Sequence, residues 1–344
     1  LSNPSARSEL KELLAGYRRY PLAEYPTPLE SLPRLSASIG RRIYIKRDDS
    51  LGPGLGGNKT RKLEYLLADA LTDGHRSVVT FGGMQSNHTR ITTAAARRCG
   101  LKPHLFFFEA RPPRLTGNLL INQRLEAEMH FFPLGGGGGM SLETTIRLVR
   151  WLARLRLTRH YFIPVGGHSA LGALGYVRAA LEIDEQVAAL GLKKPHLALA
   201  AGTGSTLGGL MVGLRLIGST IQLLGIDVGK LWRGFPTSIA HLANEIYRLL
   251  GRKGGFGPED VPLIEERYVG AGYAQPSTGG IQAIQLLARQ EGILLDPIYT
   301  GKAFAGLLDL VSKEKLPEDA ELIFLHTGGL PGLFAFEGNQ YDAA

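Results

Sequence analysis

The first group in this chain whose type and setting could do chemistry is Lys59. It lies in "GPGLGGNKT", Gly52 to Thr60, between the apolar run "RRIYIKRDD" and the helical pattern "RKLEYLLADAL". The string falls one residue short of a phosphate-binding Gly-x-x-x-x-Gly-Lys-Thr loop, because Asn58 separates Gly57 from Lys59. Two chemistries are therefore open. Lys59 could place its cation on a nucleotide phosphate, or its amine could act as a covalent nucleophile. A lysine at a helix N-terminus feels the positive end of the dipole, which disfavours the ammonium form and suits the second role. Lys62, three residues on, reads as an ordinary exposed helical lysine.

The second constellation is "AGTGSTLGG", Ala201 to Gly209, which follows the apolar "HLALA" and opens the helical "LGGLMVGLRLI". Small residues at such a junction let backbone N–H groups approach an anion. Thr203, Ser205 and Thr206 add hydroxyls, so a phosphorylated ligand is expected on Gly202, Thr203, Gly204, Ser205 and Thr206. A dinucleotide fingerprint needs Gly-x-Gly-x-x-Gly and an acid some 20 residues later. Gly202 and Gly204 match, Leu207 holds the third glycine position, and Asp227 mimics the ribose-binding acid. An NAD-dependent oxidoreductase is thus a near but imperfect fit. Pyridoxal phosphate (PLP) is the alternative, since it needs a lysine for its Schiff base, an anion cradle, a partner for its pyridine nitrogen and a group against its ring.

These loops need a scaffold that brings them together. The runs "RIYIKRD", "SVVTFGG", "PHLFFFE", "MHFFPL", "YFIPVGG", "HLALAAG", "IQLLGIDV" and "LIFLHTGG" read as buried strands. Amphipathic stretches such as "RKLEYLLADALTDG" and "HTRITTAAARRCG" lie between many of them. Alternation of this kind predicts an α/β protein with mostly parallel sheets, whose ligands bind beyond the carboxyl ends of the strands. Several of the strands do end in glycine-rich turns. The patch Gly135 to Gly139 reads as a surface turn, and no fixed-period repeat is present.

Six motifs in order carry a family resemblance: "GGNKTRKLEYL", "QSNHTR", "AGTGSTLGG", "GAGYAQP", "LDPIYTGKAFAGL" and "FLHTGGLPGLFAF". Together with "YPTPLESLPRLSASIGRRIYIKRDD" they resemble the PLP enzymes that include 1-aminocyclopropane-1-carboxylate (ACC) deaminase and D-cysteine desulfhydrase, from about Pro21 to Phe336. The resemblance implies the tryptophan-synthase-β type of fold (fold type II), with two α/β domains and helices on both sheet faces. It implies a large domain of residues 1–55 and 166–344, a smaller one of 56–165, a homodimer, and a small amino-acid substrate. It assigns Lys59 to the Schiff base and to movement of the α-proton. Asn58 or Asn87 would meet the PLP 3′-oxygen. Ser86 would contact the substrate carboxylate and relay protons, with Gln85 and Asn87 as further donors. Tyr299 would lie against the pyridine ring, Tyr273 would face the substrate from the other side, and Thr327 would meet the pyridine nitrogen.

Two positions discriminate within that family. ACC deaminases typically carry glutamate after the tyrosine of "YTGK" and leucine in "HTGG"; here these are Thr300 and Thr327, the desulfhydrase pattern. Thr300 joins the substrate-facing set. A hydroxyl on the pyridine nitrogen gives a tempered electron sink, which suits β-elimination of a thiolate better than cyclopropane opening. D-Cysteine is the favoured substrate, giving pyruvate, hydrogen sulfide and ammonia. L-Cysteate, D-serine and β-chloro-D-alanine are alternatives, and ACC deaminase is disfavoured.

Composition limits the remaining classes. Hydrophobic residues make up 44% and charged ones 20%, ordinary for a globular protein. The charge of +8 comes from scattered basic residues. The densest set, around Arg147, Arg150 and Arg154, reads as a solvated helix face rather than a nucleic-acid or membrane patch. No run approaches the roughly 20 apolar residues of a membrane span. The start, "LSNPSARSEL", lacks both a secretory-type apolar core and an initiator Met. One cysteine, Cys99, permits no intrachain disulfide, and a cytoplasmic enzyme is the default expectation. His88, His168 and His326 lack metal-ligand spacing and read as local hydrogen-bonding groups; no metal is expected.

Overall fold

A computed structural model describes residues 3–133, 142–230, 234–264, 266–272 and 274–335. The glycine patch at 135–139 and Tyr273 lie outside the described residues.

Two sheets organise the chain. The larger is built from β1 (Leu29–Ser31), β2 (Ile43–Lys46), β7 (Pro195–Ala201), β8 (Gln222–Asp227), β9 (Leu263–Ile264) and β10 (Glu321–Leu325), in the order β1-β2-β10-β7-β8-β9. The smaller holds β3 (Ser77–Phe81), β4 (Lys102–Phe107), β5 (Glu128–Phe131) and β6 (His160–Phe162), in the order β5-β4-β3-β6. Every pairing is parallel except β1 with β2. The eight strands expected from sequence form; the short edge strands β1 and β9 were not expected, because two or three residues carry no periodic signal.

The helices are α1 (Pro4–Ala15), α2 (Pro33–Ile39), α3 (Lys59–Thr72), α4 (Asn87–Arg98), α5 (Gly117–Arg124), α6 (Leu142–Arg156), α7 (Ala170–Ala189), α8 (Ser205–Ile217), α9 (Phe235–Leu249), α10 (Thr278–Glu291), α11 (Thr300–Ser312) and α12 (Leu330–Leu333). The period of two along β7 and β10 explains why they cover both faces of the larger sheet. Leu197, Leu199, Ile323 and Leu325 pack under α1, α7, α8 and α9. Ala198, Ala200, Leu322 and Phe324 pack under α2, α10 and α11. All seven residues of β7 are buried, as a central parallel strand requires. In the smaller sheet Val78 meets α3 and α4, while Val79, Phe81 and Phe106 meet α6. Arg147, Arg150 and Arg154 line the exposed side of α6.

The sheets are joined where α3 packs on α7. A Cβ on Gly175 would fall 2.3 Å from the carbonyl oxygen of Arg61, so only glycine allows this approach. Beside it lies a charge-balanced buried network. Arg61 pairs with Asp48 (2.7 Å) and Glu182 (2.8 Å), and Lys46 pairs with Glu182 (2.5 Å). Tyr176 donates to Asp48 at 2.6 Å. These bonds tie β2, α3 and α7 into one frame two residues from Lys59.

Candidate active site

The carboxyl ends of β3, β7 and β10 open onto one cleft enclosing about 700 Å³, its mouth included. Its described lining includes Asn58, Lys59, Lys62, Ser86, Asn87, His88, Gly202, Thr203, Gly204, Thr206, Tyr299 and Thr327. No aspartate or glutamate is among the described residues that line it.

Glycines bring the first and last motifs together. A Cβ on Gly57 (φ 132°) would meet the Thr327 carbonyl at 3.0 Å, and one on Gly328 would lie 2.8 Å from the Gly57 Cα. The Asn58 N–H donates to that Thr327 carbonyl at 3.0 Å. This clasp holds the start of α3 against the end of β10. Lys59 Nζ, at the first position of α3, lies 3.0 Å from Asn58 Oδ1. Burial, reinforced by the nearby Arg90 cation and partly countered by Asp296, lowers the Lys59 amine to about 8.

The loop 202–206 ends in the N-terminus of α8. Its N-cap, Gly204, has φ 84° and offers no side-chain cap, so the first-turn N–H groups are open to an anion. Lys62 Nζ donates to Ser205 Oγ at 2.6 Å, in the same loop. The expectation of an exposed Lys62 is therefore wrong: it is fully buried, and burial with the neighbouring Lys59 holds its amine well below the usual lysine range. Its spacing from Lys59, one helical turn, was the available signal. Tyr299 brings its ring near Gly202, where an added Cβ would meet it at 3.7 Å. Asp296 directs this tyrosine by accepting from the N–H groups of Ile298, Tyr299 and Thr300 at 2.8–3.0 Å.

Other expected residues sit differently from the sequence reading. Thr300 does not reach the described lining; its hydroxyl is fully buried and donates to Asp296 at 2.6 Å. Gln85 also turns away, donating to the Thr116 carbonyl (3.2 Å) and accepting from the Asn118 N–H (2.9 Å). The Asn58 amide donates to Thr206 Oγ1 at 3.1 Å, which links the lysine to the anion loop. Asn87 Oδ1 accepts from Asn118 Nδ2 (3.0 Å) and Arg90 (3.4 Å), leaving its NH₂ end for the cleft. Ser86 caps α4 and accepts from the Thr89 N–H at 3.4 Å. His88 lines the cleft and pairs with Thr80 at 2.8 Å. It stays neutral, lowered by burial and by Lys59 and Lys62. His326 bonds the Leu294 carbonyl at 3.0 Å, a local structural contact.

Both nucleotide readings fail on geometry. The carbonyls of Gly54 and Gly56 accept from the buried Arg90 guanidinium, so this loop grips a cation where a P-loop would offer N–H groups. Asp227 Oδ1 caps the N–H groups of Gly229 and Lys230 at 2.9 and 3.0 Å. That use of the carboxylate leaves no support for the ribose role.

A buried amine of lowered basicity, a cradle for one phosphate and a tyrosine ring beside it match what PLP requires. The chain matches the pyridoxal-phosphate dependent enzyme family over residues 20–328, and it belongs to that family. Its cofactor is PLP and its fold is the type II fold of these enzymes. Within the family, it is 41% identical over 331 residues to D-cysteine desulfhydrase of Yersinia enterocolitica, covering 95% of this chain and 98% of that one. Against D-cysteine desulfhydrase of Salmonella paratyphi C the identity is 39%, covering 94% and 97%. A crystal structure of an ACC deaminase homologue superposes with a TM-score of 0.86 at 37% identity, covering 97% of this chain and 98% of that one. Among the described residues no helix is long and apolar enough to cross a membrane.

Proposed function

We propose that this enzyme converts D-cysteine and one water to pyruvate, hydrogen sulfide and ammonia by β-elimination. The observation that carries this reading is a described cleft lining without a carboxylate, which includes Thr327, the residue that the resemblance assigns to the ring nitrogen. The relatives named D-cysteine desulfhydrase support it. When bound, PLP supplies the electron sink that lets the substrate α C–H bond and then the β C–S bond break.

The chain's own groups divide the remaining work in this proposal. Lys59 holds the cofactor and, as a free amine lowered to about 8, takes the α-proton near neutral to mildly alkaline pH. Lys62 and the N-terminus of α8 would hold the phosphate. Asn87 donates its NH₂ end to the ring oxygen, because its other end is occupied. Ser86 and the first turn of α4 receive the substrate carboxylate. Tyr299 would flank the ring, and Thr327 would face its nitrogen. Tyr273 keeps its opposing role on resemblance alone. Domains of residues 1–55 with 166–344 and of 56–165, a homodimeric assembly and a cytoplasmic location complete the proposal.

The test is a substrate panel on the purified enzyme, with sulfide, pyruvate and 2-oxobutyrate as readouts. D-Cysteine should exceed L-cysteine, L-cysteate, D-serine, β-chloro-D-alanine and ACC in kcat/KM. Dominant 2-oxobutyrate release from ACC, or no sulfide from D-cysteine, sinks the assignment.

A further inference from the structure

A second polar cluster lies on the edge of the smaller sheet, and none of its members lines the cleft. β4 and β5 pair with His104 opposite Glu128 and Phe106 opposite His130. The strand period of two then puts His104, Glu128 and His130 on one sheet face. His104 Nδ1 lies 3.0 Å from Glu128 Oε2 and 3.4 Å from His130 Nε2. One ligand atom from each residue falls within 4.8 Å of the other two.

These separations fit a shared ion better than a hydrogen-bond chain. One ring nitrogen carries at most one proton, so His104 Nδ1 cannot donate separately to both neighbours. An ion bonded to nitrogen and oxygen at about 2.0–2.1 Å in a tetrahedron holds its ligand atoms about 3.3 Å apart. A neutral imidazole keeps one ring nitrogen with a free lone pair, which makes each of the two rings an ordinary ligand for such an ion. Lys102 pairs with the other carboxylate oxygen of Glu128, Oε1, which leaves Oε2 facing His104. The rings are 10° from parallel, so the partly exposed His130 must turn about its outer torsion to aim at a common point, a soft motion for an imidazole. Glu128 is also partly exposed, which opens a fourth position to water.

We propose that His104, Glu128 and His130 form a binding site for one divalent transition-metal ion of the zinc class. Two imidazoles and a carboxylate select zinc over magnesium or calcium, which take oxygen ligands. The ion would staple the edge strand β5 to β4 and take no part in the reaction, so this proposal is independent of the substrate assignment.

The test uses PLP-loaded enzyme, stripped of metal with EDTA, desalted, and titrated calorimetrically with zinc chloride in the absence of substrate. One zinc per chain should bind, and affinity should fall roughly tenfold or more in both His130→Ala and Glu128→Gln. Magnesium should give no binding. Zinc should raise the melting midpoint of the wild type and not of the variants. Circular dichroism and the visible cofactor band should be unchanged in both variants. X-ray absorption of the zinc-loaded wild type needs no variant and should show two imidazole ligands. No zinc uptake, equal affinity in all three proteins, or a sulfur-containing or water-only shell overturns the site.

Discussion

Lys59 and Lys62 pose the sharpest electrostatic question at the scale of single residues. Two amines one turn apart line the same cleft, Lys62 fully buried and Lys59 half-buried, and each lacks a carboxylate among the described lining. The solution is an anionic ligand. Lys62 is lowered well below its usual range by burial and by Lys59, and an anion beside Ser205 should raise its affinity for a proton again. Binding of inorganic phosphate to the apoenzyme is therefore expected to be linked to proton uptake by Lys62. Calorimetry in buffers of different ionisation enthalpy reads this directly, and Lys62→Met should abolish the uptake. That variant should also hold PLP more weakly by about 1.5–3 kcal/mol, the range for a charged hydrogen bond. Lys59 sets a second expectation. Only its neutral amine is nucleophilic, so PLP capture by the apoenzyme should accelerate as pH rises through about 8 and level off above it. Lys59→Ala should lose the visible band and roughly 10²–10⁴-fold or more of turnover.

At the scale of elements, α3 carries the reactive amine, and its position depends on α7 and β2. Arg61 answers two buried carboxylates; removing it leaves Asp48 without its cation and Glu182 with Lys46 alone. Arg61→Met should cost about 3–5 kcal/mol in urea unfolding. The pH dependence of this frame has a definite sign. Burial pushes the Glu182 carboxyl up, but hydrogen bonds and charge from Arg61 and Lys46 outweigh it and hold it at about 2. Its folded value is below the unfolded one, so its contribution is present above about 4.5 and is lost as pH falls toward about 2. The stability gap between wild type and Glu182→Gln should narrow across that window. Gly175→Ala tests the α7 contact without touching a charge. Its methyl would meet the Arg61 backbone at 2.3 Å, and overpacking of this kind costs about 1–3 kcal/mol.

At the scale of the whole molecule, parallel sheets send their carboxyl ends to one place. The loops after β3, β7 and β10 are far apart in sequence, at "FGGMQSN", "AGTGST" and "HTGG", yet all reach the cleft. This geometry explains why the motifs are glycine-rich: backbone must pass close to backbone and to a ligand. The homodimer proposed above predicts a molar mass near twice that of the chain by light scattering on a sizing column. A monomer at micromolar concentration would contradict it.

The residue string alone determined much of this. Strand and helix alternation dictated an α/β fold because burial on both faces demands continuous apolar strands, and the order of six motifs marked the family. Lys59, Ser86, Asn87, Tyr299 and Thr327 were picked out by the ordered motifs that carry the family resemblance, and with Gly202, Thr203, Gly204 and Thr206 they line one cleft. Tertiary structure decided the rest. Lys62 looked exposed because helical periodicity does not say which face distant segments of the chain will cover. Thr300 and Gln85 looked available because a sequence does not show that Asp296, Thr116 and Asn118 already occupy them. The convergence of His104 with Glu128 and His130 was invisible for the same reason: strand register, a property of paired chains, brings them together.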